Sequence, residues 1–304
     1  MIHVSTILIN YNSKEDTLAC LSSLSKIKTT GFKHTIIIVD NASKDVFQLP
    51  NRLKNSTTEI IRSESNIGFT GGNNMGIYYA IEKYNSDYVL LLNNDTTVDE
   101  NFLKELVRTA EADSKIGMVG SKIFFSKGKE FHIDSYDKKD LGNVLWYAGG
   151  SIDWDHLAAF HRGVDEIDSG QFDNQTESDF VTGCSMLVKR EVLEKVGTFD
   201  KRFFLYLEDV DWSVRVKNAG YTIAFSPTSI VYHKNAGSSG GSGSKIHQYY
   251  QTRNRLLFAF KHGSWKEIIT AFRLAIGYIL KGSNTQRKAV WHMFTFQFGK
   301  QPII

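Results

Sequence analysis

Three apolar runs and one shorter companion constrain this chain more than any other feature. Residues 4–9 (VSTILI), 35–39 (TIIIV), 58–62 and 88–92 (YVLLL) read as strands. Helical patterns lie between them, with Leu18, Leu21 and Leu24 spaced along 14–26 and a further helix over 73–84. Continuous apolar strands alternating with helices demand a parallel sheet covered on both faces. Ligands of such sheets sit beyond the carboxyl ends of the strands. Asn10-Tyr11-Asn12, Asp40-Asn41 and Asn93-Asn94-Asp95 all fall there, so three polar clusters are expected to converge on one crevice.

The rest of the chain is less regular. Residues 117–178 show no clear period, 180–189 (FVTGCSMLVK) read as a strand, and 191–196 as a short helix stopped by Gly197. A helix over 207–219 is closed by Gly220, and short strands follow at 221–225 and 229–232. Residues 235–244 (NAGSSGGSGS) have the composition of a flexible segment, read here as a mobile lid. The last sixty residues look helical.

Charge separates that last segment from the body. From 245 to 304 there are ten Lys or Arg and one acid, Glu267, a net of +9, and the preceding residues carry −6. A basic, aromatic tail points to an anionic partner. Its stretch 268–280 (IITAFRLAIGYIL) is apolar apart from Thr270 and Arg273. That is too short to cross a hydrocarbon core ~30 Å thick but long enough to lie in its interface. The tail is therefore expected either to touch an anionic membrane surface or to form a homodimer contact. No nucleic-acid partner is expected, because no recognised binding module is present. Cys20 and Cys184 cannot build a disulfide framework and fit a reducing compartment. The N-terminus has no signal-peptide pattern, so a secreted protein is not expected.

Four groups of residues carry chemistry. Residues 66–76 are Gly-rich before a helix, which suits either backbone contact with a phosphate or a capped turn. The segment is neither a dinucleotide fingerprint nor a P-loop, and no glycine turn follows the first strand, which argues against a nicotinamide enzyme. Asp95 at a buried strand end suits a divalent cation that neutralises a diphosphate. Glu208, Asp209 and Asp211 crowd three carboxylates into four positions behind the aromatic run FFLYL, a setting for a general base. His233, at a strand end, can ligate a metal through a neutral nitrogen.

Taken together and in order, ILINYNS, IIIVDNAS, NIGFTGGNNMGI, LLLNNDT, FVTGCSMLVKREVLEKVGTFD and FFLYLEDVDWSVRVKNAGY carry a resemblance. Over about residues 3–260 the chain resembles the family 2 inverting glycosyltransferases of the GT-A fold, especially bacterial rhamnosyltransferase-like and galactofuranosyltransferase-like members. That resemblance implies an α/β fold with a mostly parallel, Rossmann-like sheet, helices on both faces and a C-terminal helical segment. It implies a transferase unit over 1–244, with a nucleotide-binding half at 1–120 and an acceptor half at 121–244, followed by the tail at 245–304. Tyr11 is then expected to stack on the nucleotide base and Asp40 to hydrogen-bond it. Asn10, Asn73, Asn74 and Asn94 are expected to contact the donor, and Arg253 to lie near the diphosphate or acceptor. Asn93-Asn94-Asp95 stands in the place of the D-x-D motif with its first acid replaced. Asp95 and His233 would hold Mg²⁺ or Mn²⁺, and Asp209 would be the base, with Glu208 beside it. The donor implied is a dTDP- or UDP-sugar, rhamnose first, and the acceptor a glycan, often lipid-linked. The enzyme would work in the cytosol at the inner face of the cell membrane. The competing reading is a catalytically inactive nucleotide-sugar-binding scaffold.

Overall fold

Successive residues of the apolar runs point to opposite faces of the sheet, and both faces are covered. In the computed structural model, which describes residues 1–53, 57–235 and 243–302, Ile36 and Ile38 enter one core layer and Ile37 and Val39 the other. The first half alternates as the pattern demands: β1 (Ile2–Asn10), α1 (Lys14–Leu24), β2 (Phe32–Asp40), β3 (Thr58–Arg62), α2 (Gly68–Tyr84) and β4 (Tyr88–Leu92). All four strands are parallel, and β1 and β2 end in register at Asn10 and Asp40. Two polar clusters are thereby brought to one level.

The second half completes the sheet. Its elements are β5 (Thr96–Val98), α3 (Phe102–Glu111), β6 (Ile116–Phe125), β7 (Leu145–Tyr147), β8 (Gly150–Asp153), β9 (Ala158–His161), β10 (Ser185–Lys189), α4 (Arg190–Val196), α5 (Glu208–Asn218) and β11 (Thr222–His233). Strand order is β3-β2-β1-β4-β10-β6-β11-β5, with β7 paired to β6 and a separate β8–β9 hairpin. The sheet is mixed: β10 runs antiparallel to both neighbours, whereas β11 is parallel to β6. Ser185 opposes Leu92, so the chain enters β10 at the same edge where β4 leaves.

Several expectations shift. Of the run 180–189 only Ser185–Lys189 is strand. The two short strands expected near the end of the transferase unit are one, β11, broken in register between Ser226 and Ile230, where Pro227 has no N–H to offer the ladder. The span 117–178, which lacks a period, holds most of β6 and all of β7, β8 and β9. Residues 236–242 of the expected lid lie outside the described residues. Helix α2 begins five residues before the expected start, and its glycines are the reason. Gly72 lies over Ile9, and a Cβ on Gly76 would stand 2.5 Å from Ile7 Cγ2. The glycines let the helix settle directly on β1.

The tail forms α6 (Lys245–His262), α7 (Trp265–Lys281) and α8 (Asn284–Phe294). Capping boxes start the last two, Ser264 with Glu267 and Ser283 with Gln286. Leu256, Leu257, Phe258, Ala271, Ala275, Val290 and Met293 continue the core that holds Leu8, Leu90 and Leu103. Among the described residues no helix is long and apolar enough to cross a membrane.

The tight seat of α2 has a measurable consequence. Gly76→Ala should destabilise the protein by about 1–3 kcal/mol through overpacking. Gly277→Ala, in an exposed turn of α7 with open space around it, should be neutral or stabilising by up to about 1 kcal/mol. Thermal unfolding of the two variants checks the contrast, and equal midpoints would refute it.

Candidate active site

The polar strand ends meet as one hydrogen-bonded chain. Asn10 donates to Asp40 at 3.3 Å and to Ser43 at 2.9 Å, and accepts from Thr17 at 2.8 Å. Asn94 in turn donates to Thr17 at 2.8 Å. The ends of β1, β2 and β4 are thus cross-linked through side chains. Asp40 is fully buried, and its two oxygens take the Asn10 amide, the N–H groups of Ser43 and Phe47, and the Arg62 guanidinium. Burial alone would raise its pKa, but hydrogen bonds from the Ser43 side chain, the Phe47 and Ser43 amides and Asn10 win and hold the carboxyl below its ordinary range. With all its lone pairs engaged, Asp40 meets a ligand only if one of these partners yields. Tyr11, by contrast, is 36% exposed just past the end of β1.

Asn73 and Asn74 serve the protein's own backbone. Asn73 donates to the Phe69 carbonyl at 3.0 Å. Asn74 donates to the Phe199 carbonyl at 2.8 Å and accepts its N–H at 3.0 Å, which pins the 199 loop to α2. The amides of Phe69 and Thr70 at the start of α2 go to the carbonyl of Phe204, at 3.0 and 3.4 Å. The Gly-rich segment is therefore a capped turn with a close-packing helix, and these two amides are not open to a phosphate.

Asp95 and His233 face each other, with Oδ1 and Nε2 3.1 Å apart. Register delivers them: β5 follows Asp95 and pairs with β11, with Thr96 opposite His233. Burial opposes charge on the imidazole, but Cys184 and Asp95 outweigh it and raise the pKa to about 10. His233 Nδ1 is buried without a hydrogen-bond partner among the described residues. A carboxylate and an imidazole nitrogen at this separation fit a divalent cation, which would take the place of the proton between them. Among the described residues no three His, Cys, Asp or Glu side chains are placed to hold a metal ion together. A hard cation here would draw its other ligands from water and a bound diphosphate. Trp146, half-buried, sets its ring edge-on to His233 at 4.5 Å and to His161 at 4.4 Å. Burial lowers His161 to about 4, so it stays neutral.

The three crowded acids part company. Asp211 turns inward to Arg215, Lys261 and His262; burial works against it, but these partners hold its carboxyl low. Glu208 is buried with Oε2 unpartnered among the described residues. Burial, then the nearby Asp209 and Asp211, push its pKa well above the ordinary range. Asp209 is half-buried, and each of its oxygens takes an amide N–H: Oδ2 from Gly183 and Oδ1 from Val210, both at 2.9 Å. Burial raises its pKa while these amides restrain the rise. Gly183 is tied to the other cluster through its neighbour, since the Cys184 carbonyl accepts the N–H of Asn93 at 2.9 Å.

The turn that leads into these acids is strained. Phe204, Tyr206 and Leu207 all have left-handed backbones, with φ of 65°, 70° and 66°. Helix α6 holds them there. The Asn254 amide donates to the carbonyls of Phe203, Leu205 and Tyr206 at 2.8–2.9 Å. Arg253 of α6 serves the same turn. Its guanidinium is fully buried and donates to the carbonyls of Arg202, Phe203 and Gly299 and to Asn254 Oδ1. It is a backbone clamp, with little left to offer a diphosphate. Sequence reasoning missed Asn254, Gly183 and Trp146. Only Gly183 left a trace, as a glycine inside an apolar run, where a Cβ would press on Phe69 at 2.9 Å.

Residues 3–259 match the profile of a family described as "Glycosyltransferase like family 2". The low-salt glycan biosynthesis hexosyltransferase Agl10 of Haloferax volcanii is 25% identical over 254 residues, 84% of this chain and 74% of that protein. The N-acetylglucosaminyl-diphospho-decaprenol L-rhamnosyltransferase of Mycobacterium tuberculosis is 30% identical over 104 residues, and the match spans 34% of this chain and 32% of that protein. Among solved structures, GalNAc-T7 with UDP, GalNAc and Mn²⁺ aligns with a TM-score of 0.65 at 16% identity, over 99% of this chain and 55% of the other. At that identity the likeness speaks for the fold alone.

The clamp on the turn is testable by itself. Asn254→Leu keeps the bulk but takes the side-chain donor from the carbonyls of Leu205 and Tyr206, while Phe203 keeps Arg253, and should cost about 2 kcal/mol or more. Urea unfolding measures it; an unchanged midpoint would remove the clamp from the account.

Proposed function

This chain belongs to glycosyltransferase family 2, and we propose that it inverts a sugar's anomeric centre in a single displacement, with Asp209 as the base. It is a glycosyltransferase of the hexosyl-transferring class that serves glycan or polysaccharide synthesis. One observation carries the base assignment. Asp209 is fixed by the Gly183 and Val210 amides, and the next residue along, Cys184, is bonded to the strand end that bears Asp95.

In this reading Asp209 takes the proton of the acceptor hydroxyl as that oxygen attacks the anomeric carbon. Its two amide bonds hold the carboxylate in one orientation, which converts proximity into rate. Burial moves its proton affinity toward the working pH, as a general base requires. Glu208 beside it, whose proton affinity burial and Asp209 raise, favours a single negative charge on the pair. Asp95 and His233 would hold Mg²⁺ or Mn²⁺, whose Lewis acidity offsets the charge that develops on the departing diphosphate. Tyr11 offers an open ring to the nucleotide base. Asn10, Asn73, Asn74 and Asn94 act on the donor through the walls they brace, and Asp40 through Arg62. Residues 1–120 form the donor half and 121–244 the acceptor half.

The finer assignment is dTDP-rhamnose as donor ahead of UDP-hexoses, and a lipid-linked glycan as acceptor. The mycobacterial rhamnosyltransferase, whose name carries both chemistries, supports it. A thermal-shift panel of nucleotide sugars tests the donor. The right one should raise the unfolding temperature by mass action, about 2.7 kcal/mol at a hundred times its Kd.

Asp209→Asn should lower transfer by ~10²-fold or more while donor binding persists. Glu208→Gln should cost less. If the order is reversed, the two roles exchange; near-normal turnover in both removes the base from this pair. For the cation, Asp95→Ala should abolish Mn²⁺-dependent donor stabilisation, and His233→Ala should weaken it. Full activity of the unmodified enzyme in excess EDTA would overturn the metal assignment.

A further inference from the structure

We propose that the outward face of α7, extended by the end of α8, docks on an anionic lipid bilayer. This deepens the reading of a lipid-linked acceptor but is argued from the surface alone. A helix on the outside of a water-soluble domain turns its large apolar side chains inward. Helix α7 packs Leu274 and Tyr278 on the core but leaves most of its large apolar side chains outside. Ala271 and Ala275 face the protein and are buried, while Trp265, Ile269, Phe272, Ile276 and Ile279 point outward, 44–75% exposed. Their spacing of four, three, four and three residues draws one straight stripe along the helix. Phe272 stacks on Phe294 of α8 with ring centroids 5.9 Å apart, so the stripe broadens onto Phe294 and Trp291. Contiguous apolar surface of this kind marks an interaction site.

Charge selects the occupant. Across α7 and α8 the cations are Lys266, Arg273, Lys281, Arg287 and Lys288. The single acid, Glu267, is buried in the capping box of Ser264. Lys266 pairs with Asp155, and the other four cations form no ion pair among the described residues. A second copy of this chain seated on the stripe would bring like-charged rims together. An anionic headgroup layer complements them, and exposed Trp and Ile side chains suit the boundary beneath it. With seventeen residues, about 25 Å of helix, α7 would lie flat in the interface.

The full chain is sedimented with vesicles of phosphatidylcholine alone and of phosphatidylcholine with phosphatidylglycerol. No sugar donor or acceptor is needed, so failure here leaves the transferase reading standing. Binding to the anionic vesicles is expected, weakening as salt is raised. Ile276→Ser with Ile279→Ser should weaken it at least about tenfold. Arg273→Gln with Lys281→Gln should do so to a similar extent, about tenfold. Because all four side chains are exposed, unfolding temperatures should not change. Equal binding to neutral and anionic vesicles, or to neither, overturns the proposal. So does a dimer in sedimentation equilibrium that the serine variant dissociates, since the face would then be a contact between copies.

Discussion

The carbonyl groups of residues 203–206 hold α2, α5 and α6 of this molecule together. Alternating left-handed residues swing them to different sides, so that Phe204 caps α2 while Phe203, Leu205 and Tyr206 turn toward α6. Each such backbone costs about 1–3 kcal/mol where the residue is not glycine. The amide of Asn254, the guanidinium of Arg253 and the first N–H groups of α2 offset that cost. One strained turn thereby joins α2, which lies on the sheet, to the tail, and starts the helix that bears the acids.

From that start, helix geometry decides what each acid becomes. Asp211, one turn inward, pairs with Arg215 and Lys261, meets the His262 ring, and serves as a strut. Glu208 finds no partner for one oxygen among the described residues, and burial beside Asp209 pushes its proton affinity up. Asp209 meets two amides and stays usable. Three adjacent carboxylic acids with separated proton affinities are what a site needs if only one of them is to act as a base.

The parallel half was legible because its strands are buried on both sides, and burial writes itself as an unbroken apolar run. Direction does not. Nothing in SMLVK reveals that β10 runs against its neighbours, and in β6–β9 short strands and turns blur any period. The Gly-rich segment was ambiguous for a related reason, since the same glycines serve a phosphate or a close helix contact, and only the distance to Ile7 decides. The acids, Asp95 and His233 were visible as a constellation through the resemblance. Arg253 was visible as a residue but not in its role, because a buried guanidinium and a ligand-binding one look alike in a sequence. Asn254 gave no signal at all: its importance lies in which carbonyls surround it.

Between α6 and α7 lies a joint of two residues, Gly263 and Ser264. It is tight: a Cβ on Gly263 would stand 2.5 Å from the Ala259 carbonyl and 2.6 Å from Glu267 Cβ. Asn254 grips the strained turn of residues 203–207 about 12 Å of helix before this joint, and the stripe of α7 begins just after it. Little slack separates the two. A surface that seats α7 would therefore also set the height of Asp209 above it, as a depth stop sets a drill, and an acceptor anchored in that surface would be sorted by its own length.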